Sequence, residues 1–304
     1  MRVLVTGAKG QLGQALINSF PEEFEVIACG RSELDLVDAT ACHEFVERHR
    51  PDWVLNAAAY TAVDRAEHEQ KLAHAVNVAA PAAFAAVLAR TGGRMLQVST
   101  DFVFDGSQGS PYQTQQPVAP LGVYGASKAA GELEVQSALG DHAYVLRTGW
   151  VYGPVGSNFL LSMLRLHALK AASGEPLSVV ADQVGCPTSA AGLAAACWRV
   201  IVRGRQLSSD SKHGQPLLPI FHWSDAGVAS WYDFAIAIGE LAVAAGLLPQ
   251  SAFLQPITTA DYPTLARRPS YSLLDCSSSW DSLGLEPKHW REALQSVIAE
   301  LAAR

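Results

Sequence analysis

Tyr124 and Lys128 stand four residues apart in Val123-Tyr124-Gly125-Ala126-Ser127-Lys128. A helix through this stretch places phenol and amine on one face. A free phenol titrates near pKa 10 and is a poor proton donor at neutral pH. An ammonium within about 4–6 Å stabilises the phenolate and lowers that value. A tyrosine tuned in this way can hand a proton to a developing alkoxide. Upstream, Val98-Ser99-Thr100-Asp101-Phe102 ends an apolar run with hydroxyls. Thr100 is the candidate to hold the substrate oxygen beside the phenol.

A second signal lies at the start of the chain. Thr6-Gly7-Ala8-Lys9-Gly10-Gln11-Leu12-Gly13 follows a short β-rich run and opens a helical one, with glycines at 7, 10 and 13. In a dinucleotide-binding turn the first glycine permits the tight turn, the second lets the pyrophosphate approach the backbone, and the third lets helix and strand pack closely. The open N–H groups of the helix N-terminus then face the phosphates. The next β-rich run ends at Cys29-Gly30-Arg31-Ser32. A free ribose 2′-hydroxyl usually meets an acid there, whereas an arginine suits a 2′-phosphate. Arg31 therefore favours NADPH, with NADH left open, and Lys128 can reach the nicotinamide ribose. Asp35 is placed to accept the adenine amino group or to cap the helix that begins near Thr40.

The elements that must position these groups alternate. Strands are expected at Arg2–Thr6, Glu25–Cys29, Trp53–Ala58, Arg94–Ser99 and Tyr144–Thr148. Helices are expected at Gln11–Phe20, Thr40–Arg50, Glu67–Arg90 with a break near Asn77–Pro81, and Tyr124–Leu139. Strands separated by helices read as βαβ units and a parallel sheet, with ligands at the strands' carboxyl ends. The fold class is α/β, a Rossmann-type doubly wound parallel sheet with a smaller C-terminal substrate-binding lobe. The expected division is 1–150 for the dinucleotide domain and 151–304 for the lobe plus late sheet elements. In the second half, helices are expected at Asn158–Ser173, Thr188–Val202, Trp231–Leu247 and His289–Ala303, strands at Leu177–Val180 and Pro219–Trp223, and a polar mobile loop at Leu207–Gln215.

Composition excludes several classes. The 304 residues carry a formal charge of −7, which argues against a nucleic-acid partner, because phosphate binding needs a clustered basic surface. No run of about 18 uninterrupted apolar residues and no signal-peptide pattern is present; the reading is a soluble, cytoplasmic protein with no membrane partner. Five cysteines without CxxC spacing and histidines without HxH or HxxxH pairs indicate neither a disulfide framework nor zinc.

Gly7–Gly13, Asn56-Ala57-Ala58-Ala59, Ser99-Thr100 and Tyr124–Lys128 together resemble an extended short-chain dehydrogenase/reductase. Asn56–Glu67 (NAAAYTAVDRAE), Ser99–Gly106 (STDFVFDG), Pro120–Lys128, Leu146–Gly153, Val180–Thr188 and Arg267–Leu274 resemble the dTDP-4-dehydrorhamnose reductase family over nearly the whole chain. The resemblance implies reduction of the C4 ketone of a dTDP-4-dehydro-6-deoxy-L-hexose to dTDP-L-rhamnose, a nucleotide-sugar substrate. It implies Tyr124 as proton donor, Lys128 as its tuner and ribose ligand, and Thr100 as the positioning hydroxyl. Gly7, Gly10, Gln11, Leu12 and Gly13 would line the pyrophosphate, and Asp35 and Leu36 the adenine. Ala57, Ala58 and Tyr60 would border the adenosine and nicotinamide end, with Asn77 inside the site. Thr61, Val63, Phe102 and Trp150 would face the sugar nucleotide. Arg267, or Arg268 beside it, is the candidate for the substrate diphosphate, because a guanidinium forks onto phosphate oxygens. Some relatives hold Mg²⁺ at an acidic dimer contact. No local acidic cluster fixes a metal site here, so Mg²⁺ and a homodimer stay open.

The chain departs from the family pattern at three places. Phe102 replaces a usual tyrosine, Gly149 a serine and Ser127 a threonine. Phe102 and the unusual His222–Phe234 stretch (HWSDAGVASWYDF) keep open a reductase or epimerase of another nucleotide sugar. A non-catalytic regulatory subunit is the third reading. Retention of Thr100, Tyr124 and Lys128 argues against it.

Overall fold

The computed structural model describes residues 1–209 and 217–304. Its centre is a six-stranded, wholly parallel sheet: β1 (Arg2–Thr6), β2 (Glu25–Cys29), β3 (Trp53–Asn56), β4 (Arg94–Thr100), β5 (Ala143–Thr148) and β6 (Ile220–His222). The spatial order is β6-β5-β4-β3-β1-β2. The order reverses between β1 and β3, so a crevice opens there, beyond the strands' carboxyl ends.

Strands buried on both faces need apolar residues at successive positions rather than alternating ones. Val3, Leu4 and Val5 are all fully buried for this reason. Val3, Val5, Leu55 and Leu96 pack on one face against Leu12 and Leu16 of α1 (Gln11–Asn18). Leu4, Val54 and Met95 pack on the other, against Val46 of α2 (Ala39–His49) and Phe84 and Leu88 of α3 (Gln70–Thr91). That face also receives Val135 of α4 (Val123–Leu139). The fold is thus an α/β doubly wound sheet. α3 is apolar and long enough to cross a bilayer, but half of it is buried inside the protein.

The expected break in α3 is a π-helical turn at Ala75–Ala79. Pro81 lacks an N–H and crowds the preceding turn, so a wider turn before it relieves the helix. α4 crosses this turn closely. A Cβ on Gly131 would lie 2.1 Å from the Asn77 carbonyl oxygen. The cap of α2 is Asp38, whose Oδ1 accepts from the Thr40 and Ala41 N–H groups at 3.0 Å. The capping role offered to Asp35 is therefore not its own; three residues further on, Asp38 has the reach.

The second half supplies helices α5 (Phe159–Ser173), α6 (Ala190–Ser209), α7 (Trp231–Ala244) and α8 (Trp290–Ala302). α6 runs beyond the expected end at Val202 and packs with α1 on the sheet. The rest of the expected loop, from 210 on, lies outside the described residues. Tyr152, Leu160, Phe234, Ile238, Leu294 and Ile298 form a separate core under short two-stranded ribbons. His222–Phe234 is absorbed structurally. His222 and Trp223 are core residues, and Ser230 and Asp233 form a capping box on α7.

Candidate active site

The chain leaves β1 through Gly7, whose φ is +69°. A Cβ there would sit 2.9 Å from the Ala58 backbone, and one on Gly13 would sit 2.0 Å from the Gly7 carbonyl oxygen. Glycine is required at both positions for strand, turn and helix to close up. Gly10 caps α1 with no side-chain hydrogen bond, which leaves the first N–H groups of the helix for a ligand. The Gln11 amide is committed: its Nε2 donates to the Val151 carbonyl (3.1 Å) and its Oε1 accepts from Asn158 (3.2 Å). Gln11 thus ties the second half to the glycine turn.

A cavity of about 620 Å³ runs from this turn to the catalytic candidates. Gly7, Gly10, Gln11, Leu12 and Gly13 line one end, with Ala57 and Ala58 beside them. Thr100, Tyr124 and Lys128 line the other, with Thr61, Val63, Phe102 and Trp150. A neighbouring cavity of about 290 Å³ is bordered by Asp35, Leu36, Ala58 and Tyr60. Arg31 borders both. The Arg31 side chain is 81% exposed, with Nε 3.9 Å from Asp35 Oδ1. Lys9, not singled out from the sequence, lines the same cavity, donates to Ser32 Oγ at 2.7 Å and pairs with Glu33 at 3.6 Å.

At the catalytic end, Thr100 Oγ1 donates to Asp101 Oδ1 at 3.0 Å and accepts from the Phe102 N–H at 3.2 Å. Burial of the Tyr124 phenol, with the Asp101 charge nearby, pushes its pKa up to about 12, against the opposing pull of the Thr100 hydroxyl. Lys128 is buried and its Nζ donates to the Val98 carbonyl at 2.6 Å. Burial lowers its pKa to about 8, against the opposing pull of Glu132. The sign expected for the phenol is therefore reversed: desolvation sets it, while the lysine's amine is turned to Val98 of β4. Glu132 is locked by Arg147 in a buried ion pair at 2.7 Å.

Asp101 is the site residue that the sequence reading passed over. Its signal was an acid directly after Thr100 at a strand's carboxyl end. Burial raises its pKa to about 6, offset in part by the Ser272 and Thr100 hydroxyls. Gly149 makes room for it, since a Cβ there would lie 2.5 Å from Asp101 Cγ. Trp150 Nε1 donates to Ser272 Oγ at 3.3 Å. Trp150–Ser272 and Thr100–Asp101 are thus two separate polar pairs beside Tyr124, and the second Asp101 oxygen, Oδ2, is buried without a hydrogen-bond partner. Trp150 has φ +52°, a conformation uncommon for a bulky residue. Its ring stacks on Trp231 at 3.5 Å and 1°, and Trp231 too was not foreseen. Phe102 meets the Tyr124 ring edge-on at 5.7 Å.

Two expected residues fall elsewhere. Asn77 is buried away from both cavity walls: its Oδ1 accepts from the Tyr60 N–H (2.9 Å), and its Nδ2 donates to the Tyr60 carbonyl (3.1 Å) and Ser127 Oγ (3.0 Å). Its amide is consumed in holding Tyr60 to α4, so it is a scaffold residue. Arg267 is exposed and borders neither cavity. Arg268 forks onto Asp64 at 2.7 and 3.1 Å. Arg268 too borders neither cavity, its guanidinium being taken up by Asp64. Among the described residues no three His, Cys, Asp or Glu side chains gather as a metal site requires.

Ser99 Oγ and Thr148 Oγ1 are buried on the cavity wall without a hydrogen-bond partner. Buried hydroxyls left so are costly unless a ligand engages them. With the glycine cradle and the open helix end, the crevice fits a dinucleotide, and Tyr124 lines its other end. A profile of the RmlD substrate binding domain matches residues 1–303. The chain belongs to this family. A dTDP-4-dehydrorhamnose reductase of Aggregatibacter actinomycetemcomitans is 39% identical over 303 residues, covering 98% of each chain. A probable dTDP-4,6-dihydroxy-2-methyloxan-3-one 4-ketoreductase of Streptomyces antibioticus is 38% identical, covering 100% of this chain and 96% of its own. Among solved structures, the dTDP-4-dehydrorhamnose reductase of Bacillus anthracis in complex with NADP is 32% identical, covers 98% of this chain and 99% of its own, and superposes with a TM-score of 0.83.

Proposed function

We propose that this protein reduces the C4 ketone of dTDP-4-dehydro-6-deoxy-L-hexose to dTDP-L-rhamnose with NADPH. The observation that carries the reading is the single crevice in which the glycine cradle faces Thr100, Tyr124 and Lys128. The named relatives support the substrate, and the NADP-bound relative supports the cofactor. Residues 1–150 hold the dinucleotide, and the second half covers the sugar nucleotide. The setting is cytoplasmic, in keeping with five buried free thiols.

When bound, the nicotinamide supplies a hydride to C4. Thr100 holds the ketone oxygen beside Tyr124, and the phenol gives its proton to that oxygen as it becomes an alkoxide. The protonated Lys128 stabilises the phenolate left behind. A phenol at about pKa 12 remains protonated at neutral pH, so the donor is always loaded. Trp150 and Trp231 offer an apolar plate for the sugar face, and Asp101 an acceptor for its hydroxyls. Arg31, with Lys9, faces the 2′-phosphate.

Phe102 favours a second reading, a related 4-keto sugar nucleotide, because a phenyl ring at this wall accepts and donates no hydrogen bond. The test is a screen of dTDP-, UDP- and GDP-linked 4-keto-6-deoxy sugars for loss of NADPH absorbance. Turnover with the dTDP sugar supports the reading. Turnover only with another sugar moves it to the second. Consumption of none overturns both.

A further inference from the structure

The helix that carries Tyr124 and Lys128 begins without a cap of its own. Gly122 stands at its N-cap and has no side chain to offer. The missing acceptor comes from Glu67, 56 residues earlier, whose Oε1 takes the Val123 N–H at 2.9 Å. The two segments touch so closely that a Cβ on Gly122 would lie 2.6 Å from that same oxygen. Gly122 has φ −146°, which any residue adopts, so backbone conformation does not call for glycine here. The carboxylate does.

Glu67 stands at the C-cap of a short helix, Val63–Ala66, and its neighbours Asp64 and Glu69 hold two other parts of the fold. Asp64 accepts from the Ala266 N–H at 3.1 Å and from the Arg268 fork. Glu69 accepts from the Tyr60 hydroxyl at 2.7 Å. One segment therefore touches the adenosine end of the crevice, the segment around Arg268, and the first turn of the catalytic helix. Tyr124 is the next residue after the capped N–H.

We infer that Glu67 is a positioning residue for the reaction: its carboxylate caps the catalytic helix and fixes where the Tyr124 hydroxyl stands. The inference rests on the reading of Tyr124 as proton donor. A carboxylate at a helix N-terminus also complements the helix dipole. Glu67 touches no reacting atom; it acts through the first turn of α4.

The test is a cycle of Glu67→Ala, Glu67→Gln, Gly122→Ala and the Glu67→Ala/Gly122→Ala double variant, in the full-length protein. Readouts are kcat and KM with the best 4-keto sugar nucleotide, and the Kd of NADPH alone by fluorescence. Glu67→Ala is expected to lower kcat about tenfold, the order of effect of a sub-ångström misplacement, while the NADPH Kd changes by less than about twofold. Glu67→Gln keeps an acceptor oxygen and is expected to recover most of kcat. Gly122→Ala, which drives the carboxylate off its seat, is expected to reproduce the loss. It should add nothing in the Glu67→Ala background. Unchanged kcat in Glu67→Ala overturns the inference. So does full additivity in the double variant, or a parallel loss of NADPH binding in all four. Should Glu67→Ala fail to fold, Gly122→Ala against Glu67→Gln still decides the matter. A wild-type protein that consumes NADPH with no sugar nucleotide sinks the reading of the site instead.

Discussion

The ionisation of Lys128 makes the pH dependence of this enzyme predictable in form. Its amine is buried, with a pKa lowered to about 8, and the phenol of Tyr124 stands at about 12. Across the usual assay range the phenol does not titrate and the lysine does. Below about pH 8 the lysine is cationic and can stabilise a phenolate; above it the cation is lost. The dependence of kcat/KM for NADPH, which reports the ionisations of the free enzyme, should be flat at neutral pH and fall on the alkaline side. For one group near 8, about one molecule in eleven still carries the proton at pH 9, so the rate there should be about tenfold below the plateau. Glu132 is the charge that holds this pKa up. Glu132→Gln removes it and should move the alkaline fall to lower pH. That variant also leaves Arg147 buried without its counter-charge, at a cost of about 3–5 kcal/mol, so each rate must be taken where circular dichroism shows the chain folded. A profile flat to pH 10 would refute the argument, as would a fall that stays in place in Glu132→Gln.

Three other outcomes are expected. Tyr124→Phe should lower kcat by about 10²-fold or more, the usual cost of losing a general acid, while NADPH titration shows binding intact; near-normal turnover would take Tyr124 out of its role. Arg31→Asp should lower the ratio of kcat/KM for NADPH over NADH by about tenfold, since a charge-assisted bond to phosphate is worth about 1.5–3 kcal/mol; an unchanged ratio would leave the 2′-phosphate to Lys9. Asp101→Asn should stabilise the protein by up to about 3 kcal/mol, taking 1.36 kcal/mol per unit over the rise from 3.8 to about 6. The sign follows from the raised value: burying the charged form costs nothing below about pH 4, where Asp101 is protonated folded or unfolded, and costs fully above about 6. Urea midpoints at pH 4 and pH 8 should therefore show the gain only at pH 8.

Much of this was legible because the relevant signals are local. The turn at Gly7–Gly13 announces itself by spacing, and the parallel sheet by strands that are apolar throughout and separated by helices. Tyr124 and Lys128 share a face by helical arithmetic alone. The contributions that were missed come from chain distance. Trp231 reaches Trp150 only through the packing of the second half, and Glu67 reaches Val123 across 56 residues. Asn77 and Arg268 show the converse. Their residue types suit a ligand, yet in the folded chain Asn77 holds Tyr60 to α4 and Arg268 holds Asp64. The sign of the Tyr124 shift was out of reach too, because desolvation depends on what surrounds the hydroxyl and not on its sequence neighbours.

Thr6 and Asn56 end β1 and β3, Gln97 lies level with Asn56 in the middle of β4, and all three are buried. Thr6 Oγ1 bonds Asn56, Asn56 Nδ2 donates to Gln97 Oε1 at 2.8 Å, and Gln97 Nε2 donates at 3.0 Å to the Val98 carbonyl, which also receives Lys128. These cross-links make a stiff floor beneath the crevice, joining the glycine turn to the lysine without slack. Whatever breathing admits a sugar nucleotide and lets its alcohol depart then falls to the walls, the loop tethered by Gln11 and the strap clasped at Asp64. Traffic through the site is governed from its rim, and substitutions there will alter residence times more than bond-making.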